Sequence, residues 1–355
     1  MTDLNRRDVL KAGLGGVLSL SVVSQLKAAD KPDPYADAVL VDGELPAITP
    51  GSFTIVVLPD IQNYTDTRPQ IALAQTRWIL ENAQARNIVF ACQLGDLTNH
   101  NLPEEYKNAA AALNALDGTV SYSFVTGNHD YGKGGKCQDR STNMPDFFPK
   151  SNFEKSPAFG GTYDKEPDVM TNSFHRFEAM GRKFLVLALE FGPRHDVVRW
   201  ANDIVSKHHN HEVILTTHSY MEPDDRRDDW STYGDEQKWN PHRYGVAKVT
   251  DHDVMDGEQL WKNLVSKHEN FIMTLNGHVL EDGLGRLTSQ TPDGRDVQQM
   301  VVNFQMRPNG GDGWLRTIEF LPDGKSIRIA DFSPTRHQKN ESAQNRFELT
   351  TSSIG

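Results

Sequence analysis

The sequence predicts a layered α/β fold in which sheet strands are covered by helices. Apolar runs typical of strands buried on both faces alternate with stretches in which apolar residues recur at helical spacing. Over residues 53–126 the order is strand, helix, strand, helix, strand, which favours right-handed crossovers. A polar or glycine-rich tip also follows each of five apolar runs, so one edge of the sheet should collect the polar side chains.

The first part of the domain supplies three predicted strands and two predicted helices. Strands are expected at 53–58 and 88–94, with a helix over 68–86 between them. The helix predicted over 103–116 begins with a proline and two glutamates, since proline tolerates the first turn and acidic side chains favour the positive end of the helix dipole. The third strand is expected at 120–126.

The same alternation continues in the second part of the domain. Strands are predicted at 184–189, 213–215 and 271–275, with helices over 197–205 and 260–265 between them.

Past residue 295 the pattern changes. The runs 300–304, 315–320 and 326–330 are predicted as antiparallel strands, and Pro322-Asp323-Gly324 should connect the last two as a hairpin.

Segments that lack the alternation of strands and helices precede, interrupt and follow the predicted domain. In chain order we predict a targeting segment (1–29), a linker or edge segment (30–50), one domain (51–335) and a carboxyl-terminal tail (336–355). The domain contains two long inserts, 131–172 and 219–256, and long loops in compact domains are usually functional. The charge run in the second insert is typical of a solvated face, whereas the aromatic residues within it favour a lid that faces a substrate.

The targeting segment resembles a twin-arginine export signal. Arg6 and Arg7 precede a short, weakly apolar stretch at 12–23, and small residues follow near Ala28-Ala29. A membrane-spanning or amphipathic helix is the alternative, but the apolar run is shorter than the ~20 residues that a span needs. We therefore expect a periplasmic or secreted protein, with no transmembrane span after the signal is removed.

The overall composition narrows the class of protein. The 355 residues are 37% hydrophobic and carry a formal net charge of -11. A groove that tracks the phosphates of a nucleic acid is not expected, because it requires clustered lysine and arginine. The two cysteines, Cys92 and Cys137, do not form a disulfide framework, and the sequence leaves open whether they pair.

The five polar tips contain residues that bind divalent metals. Oxygen and imidazole ligands that converge at the carboxyl ends of strands make a site for a hard or borderline cation. The tips are Asp60 with Gln62, Gly95-Asp96, Gly127-Asn128-His129-Asp130, His218, and Gly277-His278.

In this order, the five tips resemble the five-motif signature of the calcineurin-like metallophosphoesterases, and the match spans roughly residues 53–332. The resemblance implies a four-layer α-β-β-α sandwich with mixed sheets and two divalent metal ions, such as Mn, Fe or Zn, at one end. It makes Asp96 the bridge between the ions. It assigns three further ligands to one ion: Asn128, His218 and His278. It assigns Asp60, and with it Gln62, to the other ion.

The sequence departs from this signature at three positions. Gln62 and Leu280 stand where the family usually has histidine, and both missing imidazoles would belong to the Asp60 ion. That ion could recruit His100 or Asp282, could be a harder and more labile ion, or could be absent from an enzyme with one tight metal. Asn99 stands where the family often has an aspartate paired with the catalytic histidine.

The catalytic histidine of the signature corresponds to His129. Its expected role is to donate a proton to the leaving group or to stabilise the phosphoryl oxygens. A structural imidazole that supports the metal loop is the alternative. Asp130 could equally brace the loop or take part in the reaction.

The expected function is that of a metal-dependent phosphoesterase. A metal-activated hydroxide would attack the phosphorus of a phosphomonoester or phosphodiester, and the substrate would be a phosphorylated small molecule, nucleotide or lipid head group. The alternatives are a hydrolase of a nucleotide or lipid pyrophosphate, and a non-catalytic binding module that retains the fold.

Three other features are weaker candidates for a site. The histidines 208, 209 and 211 are predicted to lie in a solvated turn at the opposite end of the sheet. The glycine-rich turn 309–314 lacks the lysine and the strand-to-helix context of a phosphate-binding loop. Four arginines could clamp a phosphate, and the sequence does not select among them: Arg194, Arg226, Arg243 and Arg307.

Overall fold

The computed structural model describes residues 33–351, and its strands form two mixed sheets. The predicted targeting segment 1–29 lies outside the described residues. In chain order the strands are β1 (Leu40–Asp42), β2 (Phe53–Leu58), β3 (Ile88–Gln93), β4 (Ser121–Phe124), β5 (Phe159–Thr162), β6 (Ser173–Ala179), β7 (Arg182–Leu189), β8 (Glu212–Thr217), β9 (Phe271–Asn276), β10 (Leu284–Gln290), β11 (Asp296–Val302), β12 (Leu315–Phe320), β13 (Ser326–Ser333), β14 (Gln338–Asn340) and β15 (Arg346–Thr350).

The longer helices connect parallel strands, and the shorter ones lie in loops. In chain order they are α1 (Gln62–Thr67), α2 (Pro69–Asn82), α3 (Pro103–Leu113), α4 (Lys150–Phe153), α5 (His195–Lys207), α6 (Trp230–Tyr233), α7 (Gly245–Val249), α8 (Gly257–Asn263) and α9 (Pro308–Gly311). Across residues 33–351, every helix is too short or too polar to cross a membrane.

Each sheet combines parallel and antiparallel strands: the first is parallel on one side and antiparallel on the other, and the second has a parallel centre and antiparallel edges. The first sheet has the order β1-β14-β13-β12-β2-β3-β4, with β15 paired to β13, and β2, β3 and β4 are parallel. The second has the order β10-β11-β9-β8-β7-β6-β5, and β7, β8, β9 and β11 are parallel. Parallel strands end at the same edge of their sheet, so the loops after them can share one site.

The two sheets pack face to face over an apolar core. Along β2, Phe53, Ile55 and Val57 belong to the cluster that joins the sheets, since alternate side chains of a strand point to opposite faces. The Phe53 ring stacks on Phe320 of the same sheet at 4.7 Å and meets Phe184 of the other sheet edge-on at 5.3 Å. Full burial of each such side chain stabilises the fold by roughly 1.5–3 kcal/mol.

Helices cover the outer face of each sheet. The opposite face of β2 packs against α2 and α3, whose buried residues include Trp78, Ile79 and Tyr106. The outer face of the second sheet packs against α5 and α8, through residues such as Trp200 and Leu260. These layers form the four-layer α-β-β-α sandwich with mixed sheets, which confirms the predicted fold class.

The structure corrects the prediction for the last part of the chain. The run 300–304 was expected to be antiparallel, but β11 pairs parallel to β9, with Met300 opposite Leu275, and antiparallel only to β10. The predicted tail 336–355 contains β14 and β15, which both pair with β13. Within the predicted linker or edge segment, β1 pairs with β14. The hairpin between β12 and β13 forms as predicted.

Candidate metal centre

The loops after the parallel strands bring the predicted metal ligands together. Asp60 follows β2, Asp96 follows β3 and His218 follows β8, and these three side chains each offer a ligand atom within 4.8 Å of the others. The His278 ring, after β9, has its centroid 4.8 Å from that of His218. Asn128 follows β4 and is 6% exposed. The carboxyl ends of strands from both sheets thus surround one buried point.

The two carboxylate oxygens of Asp96 face different neighbours. Oδ1 lies 3.2 Å from Nε2 of His218, and Oδ2 accepts a hydrogen bond of 3.0 Å from Nε2 of Gln62. One carboxylate therefore connects the His218 half of the centre with the Gln62 half, as a bridging ligand between two cations must.

Three motif glycines leave the space that the ligands occupy. A Cβ at Gly95 would lie 2.4 Å from Nδ1 of His218, and one at Gly277 would lie 2.1 Å from Oδ1 of Asp60. A Cβ at Gly127 would lie 2.0 Å from Oδ1 of Asp96. Only glycine fits at such separations, which accounts for glycine beside the ligands in three of the motifs.

Two of the predicted ligands lie on strained backbone. Asp96 has a φ of 50° and His278 a φ of 75°, in the left-handed region that residues with side chains rarely adopt. Strain of this kind persists where the surrounding structure fixes the residue, and it is concentrated at functional sites. Hydrogen bonds from Gln62 and His129 hold Asp96 in place, and hydrogen bonds to Asp60 and Trp239 hold His278.

Hydrogen bonds to carbonyls fix which nitrogen of each ligand histidine is available. Nδ1 of His218 donates to the carbonyl of Leu94 at 2.7 Å, so the neutral ring has its lone pair on Nε2, which faces Asp96. Nε2 of His278 donates to the carbonyl of Trp239 at 2.8 Å, which leaves Nδ1 with the lone pair. Both rings can therefore act as metal ligands.

The second insert reaches the centre through His278. Trp239 supplies the carbonyl that accepts from Nε2 of this ring, and the Tyr244 hydroxyl lies 3.1 Å from the same nitrogen. The insert 219–256 thus orients a predicted metal ligand, whereas the sequence suggested either a solvated face or a lid that faces the substrate.

Burial and mutual charge shift the ionisation of the ligands. Burial, with the charge of Asp96 adding to it, raises the pKa of Asp60 to about 7. Burial opposes a charge on His218, but Asp96 and Asp60 raise its pKa to about 9. Burial and the charge of His218 lower the pKa of His278 to about 3. Two buried carboxylates so close together require a nearby positive charge.

Amide side chains that the sequence analysis missed surround Asp60. Oδ2 of Asp60 accepts hydrogen bonds from Nδ2 of Asn303 at 3.0 Å and Nε2 of Gln305 at 3.3 Å, and Oδ1 accepts the backbone N–H of His278 at 3.1 Å. Asn303 directly follows β11, so the polar residue after the run Met300-Val301-Val302 was a signal of the same kind as the five motifs.

The residues suggested as substitute ligands for Asp60 have other partners. Nδ1 of His100 lies 2.8 Å from Oε1 of Glu105, and Asp66 completes a separate, partly exposed group with them. Oδ1 of Asp282 accepts the backbone N–H of Leu284. The side chains that donate hydrogen bonds to Asp60 include those of Asn303 and Gln305.

His129 lies at the edge of the centre. Its backbone N–H donates to Oδ1 of Asp96 at 3.0 Å, and Nδ1 of its ring donates to the backbone carbonyl of Asn99 at 2.8 Å. Burial lowers the pKa of the ring, but Asp96 and the Asn99 carbonyl more than offset this and raise it overall. Nε2 is left as the atom that can meet a substrate.

Asp130 braces the loops of the centre. Its carboxylate accepts the backbone N–H groups of Leu97, Thr98 and Gly127 at 2.8 to 3.1 Å and is fully buried. These contacts tie the loop after β3 to the loop after β4, as the bracing interpretation of Asp130 requires.

The weaker candidates lie elsewhere or are already paired. Arg194 pairs with Glu190 and Glu166, Arg226 with Asp224, and Arg243 with Asp235. The Arg307 guanidinium lies over the Trp314 ring at 5.0 Å. His208 follows α5 and bonds its own helix. Cys92 and Cys137 are both buried as free thiols.

Three buried polar atoms of the centre fit a cation as their missing partner. Among residues 33–351, Oε1 of Gln62 and Oδ1 of Asn128 have no hydrogen-bond partner, and Nε2 of His218 lies 3.2 Å from Oδ1 of Asp96 without a hydrogen bond of good geometry. Leaving such an atom unsatisfied costs roughly 1–3 kcal/mol, and all three are lone-pair donors of the types that divalent metals accept. The donor set therefore fits divalent metal binding.

The chain is similar to several known proteins. A protein of Bacillus subtilis (strain 168), "Uncharacterized protein YvnB", is 25% identical over 311 residues, which cover 85% of this chain and 21% of the relative. The chain thus spans about a fifth of the length of this curated relative.

Solved structures with a similar fold include a purple acid phosphatase from yellow lupin (Lupinus luteus) seeds, GAP50 of Plasmodium, and a 5'-nucleotidase precursor from Thermus thermophilus. For the phosphatase the identity is 12%, the TM-score 0.46 and the coverage 86% of this chain and 55% of that one. For GAP50 the identity is 11% and the TM-score 0.46, and the match covers 85% of this chain and 90% of that one. For the nucleotidase the identity is 13% and the TM-score 0.43, and the match covers 84% of this chain and 54% of that one.

The family model described as "Calcineurin-like phosphoesterase" matches residues 53–282, well over half of the chain. This range includes all five motifs and every predicted ligand of the centre. The name of the family describes hydrolases that act on phosphate ester bonds. The chain belongs to the calcineurin-like phosphoesterase family.

Proposed function

We propose that this protein is a metal-dependent phosphoesterase that hydrolyses a phosphomonoester or phosphodiester. The observation that carries the proposal is that Asp60, Asp96 and His218 each offer a buried ligand atom within 4.8 Å of the others. In addition, Gln62 Oε1 and Asn128 Oδ1 are buried without hydrogen-bond partners in the described chain. Divalent cations held there would polarise the phosphoryl oxygens and activate the attacking water.

The protein's own residues divide the remaining tasks. Asp96 joins the two halves of the centre, and its negative charge, with that of Asp60, offsets cationic charge in the buried site. The carbonyls of Leu94 and Trp239 hold the rings of His218 and His278 in the tautomers that present a lone pair.

His129 is placed to act on the leaving group. Its ring is held by the Asn99 carbonyl through Nδ1, and it is only partly buried, so Nε2 is accessible to a substrate. From this position Nε2 donates a proton to the leaving-group oxygen, a role that contributes typically 10²–10⁴-fold to a rate.

A binding module that has lost its activity accounts for the centre less well. Such a module has no use for two buried carboxylates, strained backbone at Asp96 and His278, and motif glycines that make room for the ligands. Each of these features lowers stability unless a bound cation offsets it.

The protein is also proposed to be exported and to act on a phosphorylated substrate outside the cytoplasm. The paired arginines Arg6 and Arg7 ahead of a short apolar stretch support export by the twin-arginine route, which would make the protein periplasmic or secreted. Substrates there would be phosphorylated small molecules, nucleotides or lipid head groups. Replacing Arg6 and Arg7 by lysine should keep the protein in the cytoplasmic fraction, and unchanged export would refute this route.

Hydrolysis of para-nitrophenyl phosphate and bis-para-nitrophenyl phosphate tests the activity. The metal-loaded protein should hydrolyse at least one ester, and His218→Ala should lower kcat/KM by roughly 10³-fold, since it removes several kcal/mol of transition-state stabilisation. His209→Ala, in an exposed turn, is the matched control and should leave the rate unchanged. No hydrolysis of either ester, or equal rates in wild type and His218→Ala, would contradict the proposal.

A further inference from the structure

We propose that Gln305, which lies outside the five motifs, is a metal ligand in the Asp60 half of the centre, and that this half selects a hard cation through oxygen ligands alone. The inference rests on the proposed function, because it assigns a ligand within the same centre. It predicts that the two halves hold different metals.

Gln305 reaches the centre because β11 runs parallel to β9. The chain turns after β11 with the backbone N–H of Gln305 donating to Oδ1 of Asn303 at 2.9 Å. The Gln305 amide then lies between two predicted ligands: its Oε1 accepts from Nε2 of Gln62 at 2.8 Å, and its Nε2 lies 3.3 Å from Oδ2 of Asp60.

Two oxygens converge on one nitrogen of Gln62. Oδ2 of Asp96 lies 3.0 Å from Nε2 of Gln62, and Oε1 of Gln305 lies 2.8 Å from it. A carboxylate oxygen and an amide oxygen that meet on one hydrogen-bearing nitrogen are also positioned to meet on a small cation.

Gln62 itself has an oxygen to offer. Its Oε1 is buried and lacks a hydrogen-bond partner among residues 33–351, and the side chain is 2% exposed. A half-turn of the amide exchanges its oxygen and nitrogen within nearly the same volume. This turn would place Oε1 beside the oxygens of Asp96 and Gln305, so that the three oxygens would surround one cation.

The chemistry of the two halves then differs. Asp60, Gln62 and Gln305 offer only carboxylate and amide oxygens, and Leu280 supplies no imidazole where the family usually has one. Such oxygens suit Mg²⁺, Ca²⁺ and Mn²⁺, whereas imidazole suits Zn²⁺, Fe²⁺ and Cu²⁺. The half with His218 and His278 should prefer zinc strongly, whereas the half with Asp60 should prefer it so little that an excess of manganese displaces it.

Competition between Zn²⁺ and Mn²⁺ tests this assignment without any measurement of activity. Chelator-stripped protein is equilibrated with Zn²⁺ and a roughly hundredfold excess of Mn²⁺ over Zn²⁺, because zinc binds more tightly than manganese at most sites. The protein is then desalted, and its metal content is measured by mass spectrometry and Mn²⁺ paramagnetic resonance. Wild type should retain one zinc and one manganese per chain. Gln305→Leu should bind Mn²⁺ at least roughly tenfold more weakly and keep its zinc. The control Gln290→Leu, on an exposed strand position, should keep both ions.

A gain-of-ligand variant covers the possibility that Gln305→Leu does not fold. Gln62→His restores an imidazole, and it should replace manganese by a second zinc. Two zinc ions in the wild type despite excess Mn²⁺, or unchanged Mn²⁺ binding in Gln305→Leu, would overturn the inference, as would an unchanged metal content in Gln62→His.

The failure of this inference is distinguishable from that of the proposed function. Two zinc ions in a protein that hydrolyses phosphate esters would overturn only the oxygen-ligand assignment. A wild type that binds no metal and hydrolyses neither nitrophenyl ester would overturn the proposed function, and this inference with it.

Discussion

The ring of His129 donates its Nδ1 hydrogen to the backbone carbonyl of Asn99, 2.8 Å away. The side chain of Asn99 points elsewhere and donates to Oδ2 of Asp66 at 3.0 Å. The sequence suggested that position 99 matters because a carboxylate is often found there in the family. In this protein a main-chain atom orients the histidine, so the identity of the side chain is of small consequence.

Asn99→Ala should therefore change kcat by less than roughly fivefold, which corresponds to about 1 kcal/mol. Asn99→Asp should bring no gain, because its carboxylate would oppose the charge of Asp66. Steady-state hydrolysis of bis-para-nitrophenyl phosphate measures both. A hundredfold loss in Asn99→Ala would show that the side chain, not the carbonyl, orients His129.

His129→Ala should slow the hydrolysis of esters with poor leaving groups more than that of nitrophenyl esters. A phenolate as stable as para-nitrophenolate departs without a proton, whereas an alkoxide needs one, so the loss should be roughly 10²–10⁴-fold for an alkyl ester. Comparing kcat for para-nitrophenyl and alkyl esters measures the difference. Equal losses with both esters would refute the proton-donor role and favour the structural one.

Asp130→Ala should lower the free energy of unfolding by roughly 3 kcal/mol or more. The substitution leaves the buried N–H groups of Leu97, Thr98 and Gly127 without an acceptor, and each such loss costs roughly 1–3 kcal/mol. Urea denaturation measures the change. Asp203→Ala, at an exposed position of α5, should change stability by less than about 1 kcal/mol. Equal stability of the two variants would contradict the bracing role.

His175 should make the fold less stable in mild acid. Burial lowers the pKa of this ring, on β6, to about 3, whereas an unfolded histidine titrates near 6.5. As the pH falls below 6.5, the unfolded chain binds a proton that the folded chain does not bind until about pH 3. The free energy of unfolding therefore falls through this window, and the contribution is fully present above it.

His175→Phe, beside the rings of Phe90 and Phe153, removes this proton uptake. Between pH 7 and pH 5 the stability of the variant should fall by roughly 2 kcal/mol less than that of the wild type. Urea denaturation at the two pH values measures this difference. An identical fall in both proteins would show that His175 is not the group responsible.

The sequence reveals the fold and most of the centre because both depend on local patterns. A strand buried on two faces is a continuous apolar run, so β2, β3 and β9 and the polar residues after them are visible without any knowledge of pairing. Asp60, Asp96 and His278 were found in this way, with the family resemblance supplying their roles.

The features that the sequence did not reveal depend on which strands pair and on main-chain atoms. Gln305 reaches Asp60 only because β11 joins the sheet parallel to β9, and the runs past residue 295 gave no sign of that direction. The carbonyls of Asn99 and Trp239, which orient His129 and His278, have no side-chain signature at all. The amide neighbours of Asp60, and the carbonyls that orient the two histidines, could therefore be identified only from the structure.

The bridging position of Asp96 is the central claim, and the metal content of Asp96→Asn tests it most directly. The variant keeps the shape of the side chain but removes the charge and one of the two oxygens that face His218 and Gln62. Reloaded wild type and the surface control Asp203→Asn should each retain two divalent ions per chain, whereas Asp96→Asn should retain fewer than one. Two tightly held ions in Asp96→Asn would contradict a centre built around this carboxylate.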